Sequence, residues 1–209
     1  FAFTRIKTRT AGEIFYAVPS GNYGNLAAGL YAWKFCLPVN GFVTDSTPAL
    51  TCDAAGQCCC MNSSTPLAER GPADPAVPSS IERLEQIFSV SPAVMKSIIF
   101  PAAVSDQEAE NLIKVSYQRY GIMFDTATAH AYAAARNRNI LKRQGGESLV
   151  LVSKDHPAFE SSILSRICGE PPIIPEYLCG IDTPLQNVPL ITGKKEEIIN
   201  ILNLVKEVQ

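Results

Sequence analysis

Histidine is scarce in this chain, with only His130 and His156 in 209 residues, and none of its seven cysteines stands in a Cys-x-x-Cys pair. A zinc tetrahedron needs several sulfur or nitrogen ligands at short, regular spacings, and the adjacent Cys58, Cys59 and Cys60 cannot all reach one ion easily. No metal site is expected. The cysteine count is odd and the spacing irregular, which speaks against a disulfide framework, and mostly reduced thiols fit a cytoplasmic chain. Cys58 to Cys60 read as an oxidation liability in a loop. Long basic runs are also lacking and the formal net charge is −2, so nucleic acid is not expected as the main partner. No stretch approaches the ~18 consecutive apolar residues of a membrane span. The opening FAFTRIKTRTAGE has scattered charges and no continuous apolar core, unlike a signal peptide. It begins on Phe1 without an initiating Met and soon enters a strand, so a trimmed chain or a piece of something larger is expected.

Hydrophobic residues make up 46% of the chain, enough for a sizeable core. IFYAV, residues 14 to 18, is apolar, β-branched or aromatic and stops at Pro19, which reads as a buried strand. A helix is predicted from Asn25 to about Cys36, and a second strand at Phe42, Val43 and Thr44. Strand, helix, strand in that order points to a parallel sheet with helices packed on it. Residues 45 to 80 are rich in Pro, Ser, Gly and Ala and lack periodicity, so they read as an irregular or mobile excursion, or a surface lid. Ser79 and Glu82 have capping-box spacing before an apolar face of Ile81, Leu84, Ile87 and Phe88. A second box at Ser105 to Glu108 opens a helix that Gly121 ends. Asp125 or Thr126 caps an alanine-rich helix, Leu149 to Val152 read as a buried strand, and SSILSRIC reads as a short helix. A last amphipathic helix would bury Ile198, Ile199, Ile201, Leu202 and Val205. The expectation is one three-layer α/β domain over residues 1 to 209, with a mainly parallel sheet.

Between the first strand and its helix lies Ser20-Gly21-Asn22-Tyr23-Gly24-Asn25. Two glycines let a backbone bend tightly and approach a ligand, and the free N–H groups of a helix start carry partial positive charge. Together these suit an anion, most often a phosphate. The same residues also suit a plain strand–helix turn, and G-x-x-G falls short of the dinucleotide and P-loop fingerprints.

Five segments in order, VPSGNYGNLAAGL, LPV, PSSIERL, GIMFDTATAHAYAA and LVSKDHPAFE, resemble the second half of threonine synthases, from about residue 14 to the C-terminus. These enzymes use pyridoxal 5′-phosphate (PLP) and have the tryptophan-synthase-β type of fold. The resemblance implies that Ser20, Gly21, Asn22, Tyr23, Gly24 and Asn25 hold the cofactor phosphate, with Tyr23 standing where the family has Phe. It also implies departures. The family's cofactor-anchoring lysine lies well upstream of the loop, in a half that this chain lacks. The Asn-rich segment after the second strand reads VTDSTPALT, and the helix that usually starts Asp-Pro-His reads Asp125-Thr126-Ala127. Lys154 takes the place of a hydroxyl residue that faces the pyridine nitrogen. From there a lysine cannot also reach the aldehyde carbon of the same cofactor. It donates a hydrogen bond or charge to the ring, fills the pocket, or is a solvated loop lysine. His156 is read as a structural loop residue, His130 as a packed or surface histidine, and Glu82 and Arg83 as cap and salt-bridge residues.

The expected function is that of a threonine-synthase-like polypeptide, inactive alone. The family reaction converts O-phosphohomoserine and water to threonine and phosphate. The alternative is a degenerate relative, an anion-binding or protein-interaction module. Expected partners are a small phosphate ligand and a missing N-terminal half or another protein surface.

Overall fold

A computed structural model describes residues 12–60, 80–88, 92–139, 147–179 and 194–206. The expected strand–helix–strand unit forms as β1 (Ile14–Ala17), α1 (Gly24–Lys34) and β2 (Gly41–Asp45). Next come β3 (Leu50–Cys52) and β4 (Cys58–Cys60), α2 (Ile81–Phe88), α3 (Pro92–Ile98) and β5 (Ile99–Ala102). The chain continues with α4 (Asp106–Tyr120), α5 (Thr126–Asn137), β6 (Ser148–Leu151) and α6 (Ser161–Cys168). By contact the chain divides at Pro172 into two compact units. In the second, a 3-10 turn spans Glu176–Leu178 and α7 spans Lys195–Lys206.

The main sheet has the order β5-β2-β1-β6 and every pairing in it is parallel. Phe15 lies between Gly41 and Leu149, Tyr16 between Phe42 and Val150, and Ala17 between Val43 and Leu151. Successive side chains of a strand face opposite ways, so each strand feeds two cores. On one face Phe42 and Ile99 join Leu26, Leu30, Leu84, Ile87 and Ile98 from α1, α2 and α3. On the other, Ala17, Val43 and Ala102 meet Ala131, Ala134 and Ala135 of α5. Small residues on both sides let α5 lie close to the sheet. A further cluster of Ala109, Ile113, Ala129 and Leu164 ties α4, α5 and α6 together. The result is the three-layer α/β architecture with a parallel sheet.

Helix ends follow their sequence signals. Ser105 and Glu108 exchange side-chain and backbone hydrogen bonds as a full capping box, and Gly121 ends α4 at φ 66°. Asp125 caps α5 by accepting from the Thr128 N–H. The expected box at Ser79 falls on a residue outside the described ones. Its neighbour Ser80, fully buried, starts α2 by accepting from the N–H of Leu84.

Three findings differ from the sequence expectation. Inside the 45–80 excursion, β3 and β4 pair as an antiparallel hairpin, because Asp53 turns the chain: its side chain accepts from the N–H groups of Ala55 and Gln57. Residues 61–79 lie outside the described residues. Strand β5 has no clear signal in the sequence, since Pro101 interrupts it; proline is tolerated there because, among the described residues, β5 is at the edge of the sheet. Ile198 and Ile199, expected on a buried side, are exposed, and the side chains of Ile201, Leu202 and Val205 lie outside the description.

The glycine inside the alanine-rich α1 has a packing reason. A Cβ at Gly29 would stand 2.6 Å from Cε1 of Phe42, whose side chain is 1% exposed and cannot swing aside. Alanine would gain about 1 kcal/mol of helix propensity, but overpacking a closed core costs ~1–3 kcal/mol. Gly29→Ala is therefore expected to lower the urea midpoint. A raised midpoint would show that the ring moves freely.

Candidate functional site

Strand order decides where the site lies. From β1 the chain runs to β2 and β5 on one side and returns as β6 on the other. In open parallel sheets, ligands bind outside the carboxyl ends of strands at such a reversal. Two loops meet there, Ser20 to Asn25 after β1 and Val152 to His156 after β6. A Cβ placed on Gly21 would be 3.9 Å from Cε of Lys154, so the fold brings the two predicted parts of the site together.

The first loop is a tight turn. Gly21 has φ 42° and Tyr23 φ 59°, both left-handed. Glycine adopts this freely, but tyrosine does so at a cost of about 1 kcal/mol. Burial and one hydrogen bond hold Tyr23 in place: its ring is fully buried and its hydroxyl lies 2.8 Å from Thr47 Oγ1. Burial also pushes its phenol well above the ordinary value, with the Thr47 hydrogen bond pulling the other way. The Tyr23 N–H donates to Ser20 O at 2.6 Å, and the Gly24 N–H to Asn22 Oδ1 at 2.9 Å. A Cβ on Gly24 would lie 3.0 Å from that Asn22 oxygen, so glycine leaves room for the cap. Among the described residues, the N–H groups of Gly21, Asn22 and Asn25 have no hydrogen-bond partner. They sit on a left-handed turn at the start of α1, where the helix dipole favours an anion.

Neighbouring elements fix the loop. Asp45, at the end of β2, accepts from Ser20 N at 2.9 Å and from Ser20 Oγ at 2.6 Å. The Ser20 hydroxyl is thereby turned to the carboxylate. The Ser80 N–H donates to Asn22 O at 3.1 Å, joining the start of α2 to the turn.

The second loop is held from α5. Asp125, fully buried, accepts from the N–H and the hydroxyl of Thr128. The Thr128 oxygen accepts in turn from the Lys154 N–H at 3.1 Å. The Lys154 ammonium is 3.4 Å from Asp155 Oδ2, in a half-exposed pair of small energetic weight. His156 accepts from the Ala158 N–H, and His130 bridges Thr126 O and Asp106. Glu160 accepts from the N–H and hydroxyl of Thr126. These are positioning contacts around the loop.

Sequence reasoning missed Asp45, Thr47 and Ser80. The signal for the first two was their place at the end of the second strand, on the same edge as the glycine loop. Ser80 becomes visible only once α2 has folded back.

The donor set suits a phosphate: three unpaired backbone N–H groups at a helix start, with a lysine stem beside them. Asp45→Ala is expected to cost ~1–3 kcal/mol, because it leaves the Ser20 N–H without an acceptor. Asp45→Asn keeps one acceptor and is expected to cost less. Equal urea midpoints for the two variants would show that the carboxylate does not hold the loop.

Comparison with known proteins gives a consistent picture. Threonine synthase from Escherichia coli (strain K12) is 28% identical over 196 residues, which is 90% of this chain and 44% of that protein. The crystal structure of threonine synthase from yeast superposes with a TM-score of 0.66 and 17% identity, over 98% of this chain and 50% of that one. The PLP-bound threonine synthase from Brucella melitensis gives a TM-score of 0.61 and 16% identity, over 96% and 48%. No family model matches. The chain thus spans less than half the length of the curated relatives it matches. Along nearly all of its own length it is similar to threonine synthases in sequence, and it shares their fold.

Proposed function

We propose that this chain is a threonine-synthase-like polypeptide whose Ser20–Asn25 loop holds the phosphate of PLP, and which does not by itself convert O-phosphohomoserine. The observation that carries the reading is the turn at Gly21 to Asn25, with free N–H groups of Gly21, Asn22 and Asn25 at the head of α1. Similarity to threonine synthases, one of them PLP-bound, supports the choice of ligand.

Each residue then has a limited task. The N–H groups of Gly21, Asn22 and Asn25 donate to phosphate oxygens, while the Asn22 side chain keeps Gly24 in the helix start. Tyr23 anchors the turn through Thr47, and Asp45 holds Ser20. Lys154, its backbone fixed by Thr128, offers a donor and a positive charge to the cofactor. When bound, PLP supplies a ring that stores carbanion charge. The reaction also needs an amine at the aldehyde carbon and a proton carrier between substrate carbons. Among the described residues Lys154 lies beside the loop, and the resemblance implies that it takes the place of the family's ring-nitrogen partner.

A second reading is an anion-binding module without turnover. It is favoured by Lys154 beside Gly21, a cation added next to the anion loop.

Adding PLP to the purified chain is expected to give weak binding with the absorbance of a free aldehyde. Borohydride should then fix no cofactor on any lysine, and inorganic phosphate should compete. Gly21→Ala, strained at φ 42° by about 1 kcal/mol, should weaken binding roughly fivefold. Phosphate release from O-phosphohomoserine above the blank would overturn the inactivity. A reducible adduct at Lys154 would overturn the role given to that residue. Absence of PLP competition by phosphate would overturn the loop assignment.

A further inference from the structure

The hairpin of β3 and β4 gathers four of the seven cysteines, Cys52, Cys58, Cys59 and Cys60, and Cys52 faces Cys58 directly across the antiparallel ladder. Their pairing type follows from the neighbouring bond. The Asp53 N–H donates to Gln57 O at 2.9 Å, so 53 and 57 form a hydrogen-bonded pair. Pairs alternate along an antiparallel ladder, so Cys52 and Cys58 form a non-hydrogen-bonded one, with Cα atoms about 4.5 Å apart. That lies inside the ~4.4–6.8 Å span of Cα separations that a disulfide bridges. Both side chains leave the hairpin on the same face. Cys59 points to the other face, and Cys60 stands opposite Leu50.

We propose that Cys52 and Cys58 form a cross-strand disulfide by exchange with a low-molecular-weight disulfide of the glutathione type. Cys52 is half-buried and reachable, whereas Cys58 is buried, so the order of events is set. The Cys52 thiolate attacks one sulfur of the small disulfide, whose S–S bond breaks and releases one small thiol. The Cys58 thiolate then attacks the Cys52 sulfur and releases the second. One S–S bond is lost and one is formed. Two electrons pass from the cysteine pair to the small disulfide, and the two cysteine protons leave on the released thiols.

The hairpin makes this more than a surface lesion. Cys58 and Leu50 share the buried cluster with Tyr23, and Thr47, just before β3, holds the Tyr23 hydroxyl. A cross-link therefore fixes the element against which the glycine turn leans. Burial pushes the Cys58 thiol up to about 12, so the closing step is slow near neutrality and speeds up as pH rises, on the order of tenfold per pH unit.

The test is differential alkylation after the folded chain has been incubated with glutathione disulfide. Exchange is quenched with acid, the chain is unfolded in denaturant so that every free thiol is blocked with one maleimide, the protein is reduced, and newly freed thiols take a second label. The hairpin segment is expected to be 2 Da lighter, and among its four cysteines the second label is expected on Cys52 and Cys58 only, while the exposed Cys36 and Cys179 carry at most glutathione adducts. Cys52→Ser should lose the 2 Da form, while Cys60→Ser, as a folding control on the same face, should keep it. Second label on Cys59 or Cys60, survival of the 2 Da loss in Cys52→Ser, or no oxidation of the folded chain would each overturn the proposal.

Discussion

The pairing of β1 with β2 on one side and β6 on the other is the constraint on which the rest of the structure depends. It places the chain's reversal of direction across the sheet at one strand. It also brings two loops that are far apart in sequence to one crevice. Without the register of Ala17 between Val43 and Leu151, Gly21 and Lys154 would have no reason to meet. The alanine face of α5 secures this register from one side, and the larger side chains of α1 to α3 secure it from the other. The site itself is built mostly of backbone, so its shape is a property of the sheet and the turn more than of any reactive side chain.

The turn shows how strain is held. Tyr23 occupies a left-handed conformation that its side chain disfavours, and two contacts of unlike character oppose that cost. Burial of the ring is nondirectional, while the bond to Thr47 fixes its orientation. The substitution of a phenol for the phenyl implied by the family resemblance thus has a structural partner in this chain. Asp45 and Ser80 act on either side of the same turn, one by accepting from Ser20 and the other by donating to Asn22. Three elements that were separate in the sequence thereby converge on six residues.

Much of this was legible beforehand, for identifiable reasons. Strand β1, helix α1 and strand β2 carry strong local signals: a continuous apolar run, glycines at the bend and apolar spacing after it. The capping box at Ser105 and the cap at Asp125 were readable because a cap is a contact between residues three apart. The loop residues Ser20 to Asn25 could be named from sequence, but their donors could not be sorted into paired and unpaired ones. That depends on the turn geometry and on partners some 25 or more positions away. Strand β5 was hidden because an edge strand tolerates the proline that ordinarily argues against one. The hairpin at 50–60 was hidden because its strands are three residues long and its order comes from Asp53, one side chain in a segment of low periodicity. The burial expected of Ile198 and Ile199 did not hold, because an amphipathic pattern states what a helix could bury and not what packs against it.

The two borders of the main sheet are unlike. On the β5 side, Pro101 removes a donor from the outermost strand, and no partner strand can complete a regular ladder there. On the β6 side, Ser148 to Leu151 are half-buried, and among the described residues they pair only with β1. A row of amides and carbonyls with apolar side chains is a template for further strand addition. Among the described residues the two edges thus differ in what they present: the Leu149 edge keeps its full row of amides and carbonyls, and the Phe100 edge lacks the amide of Pro101.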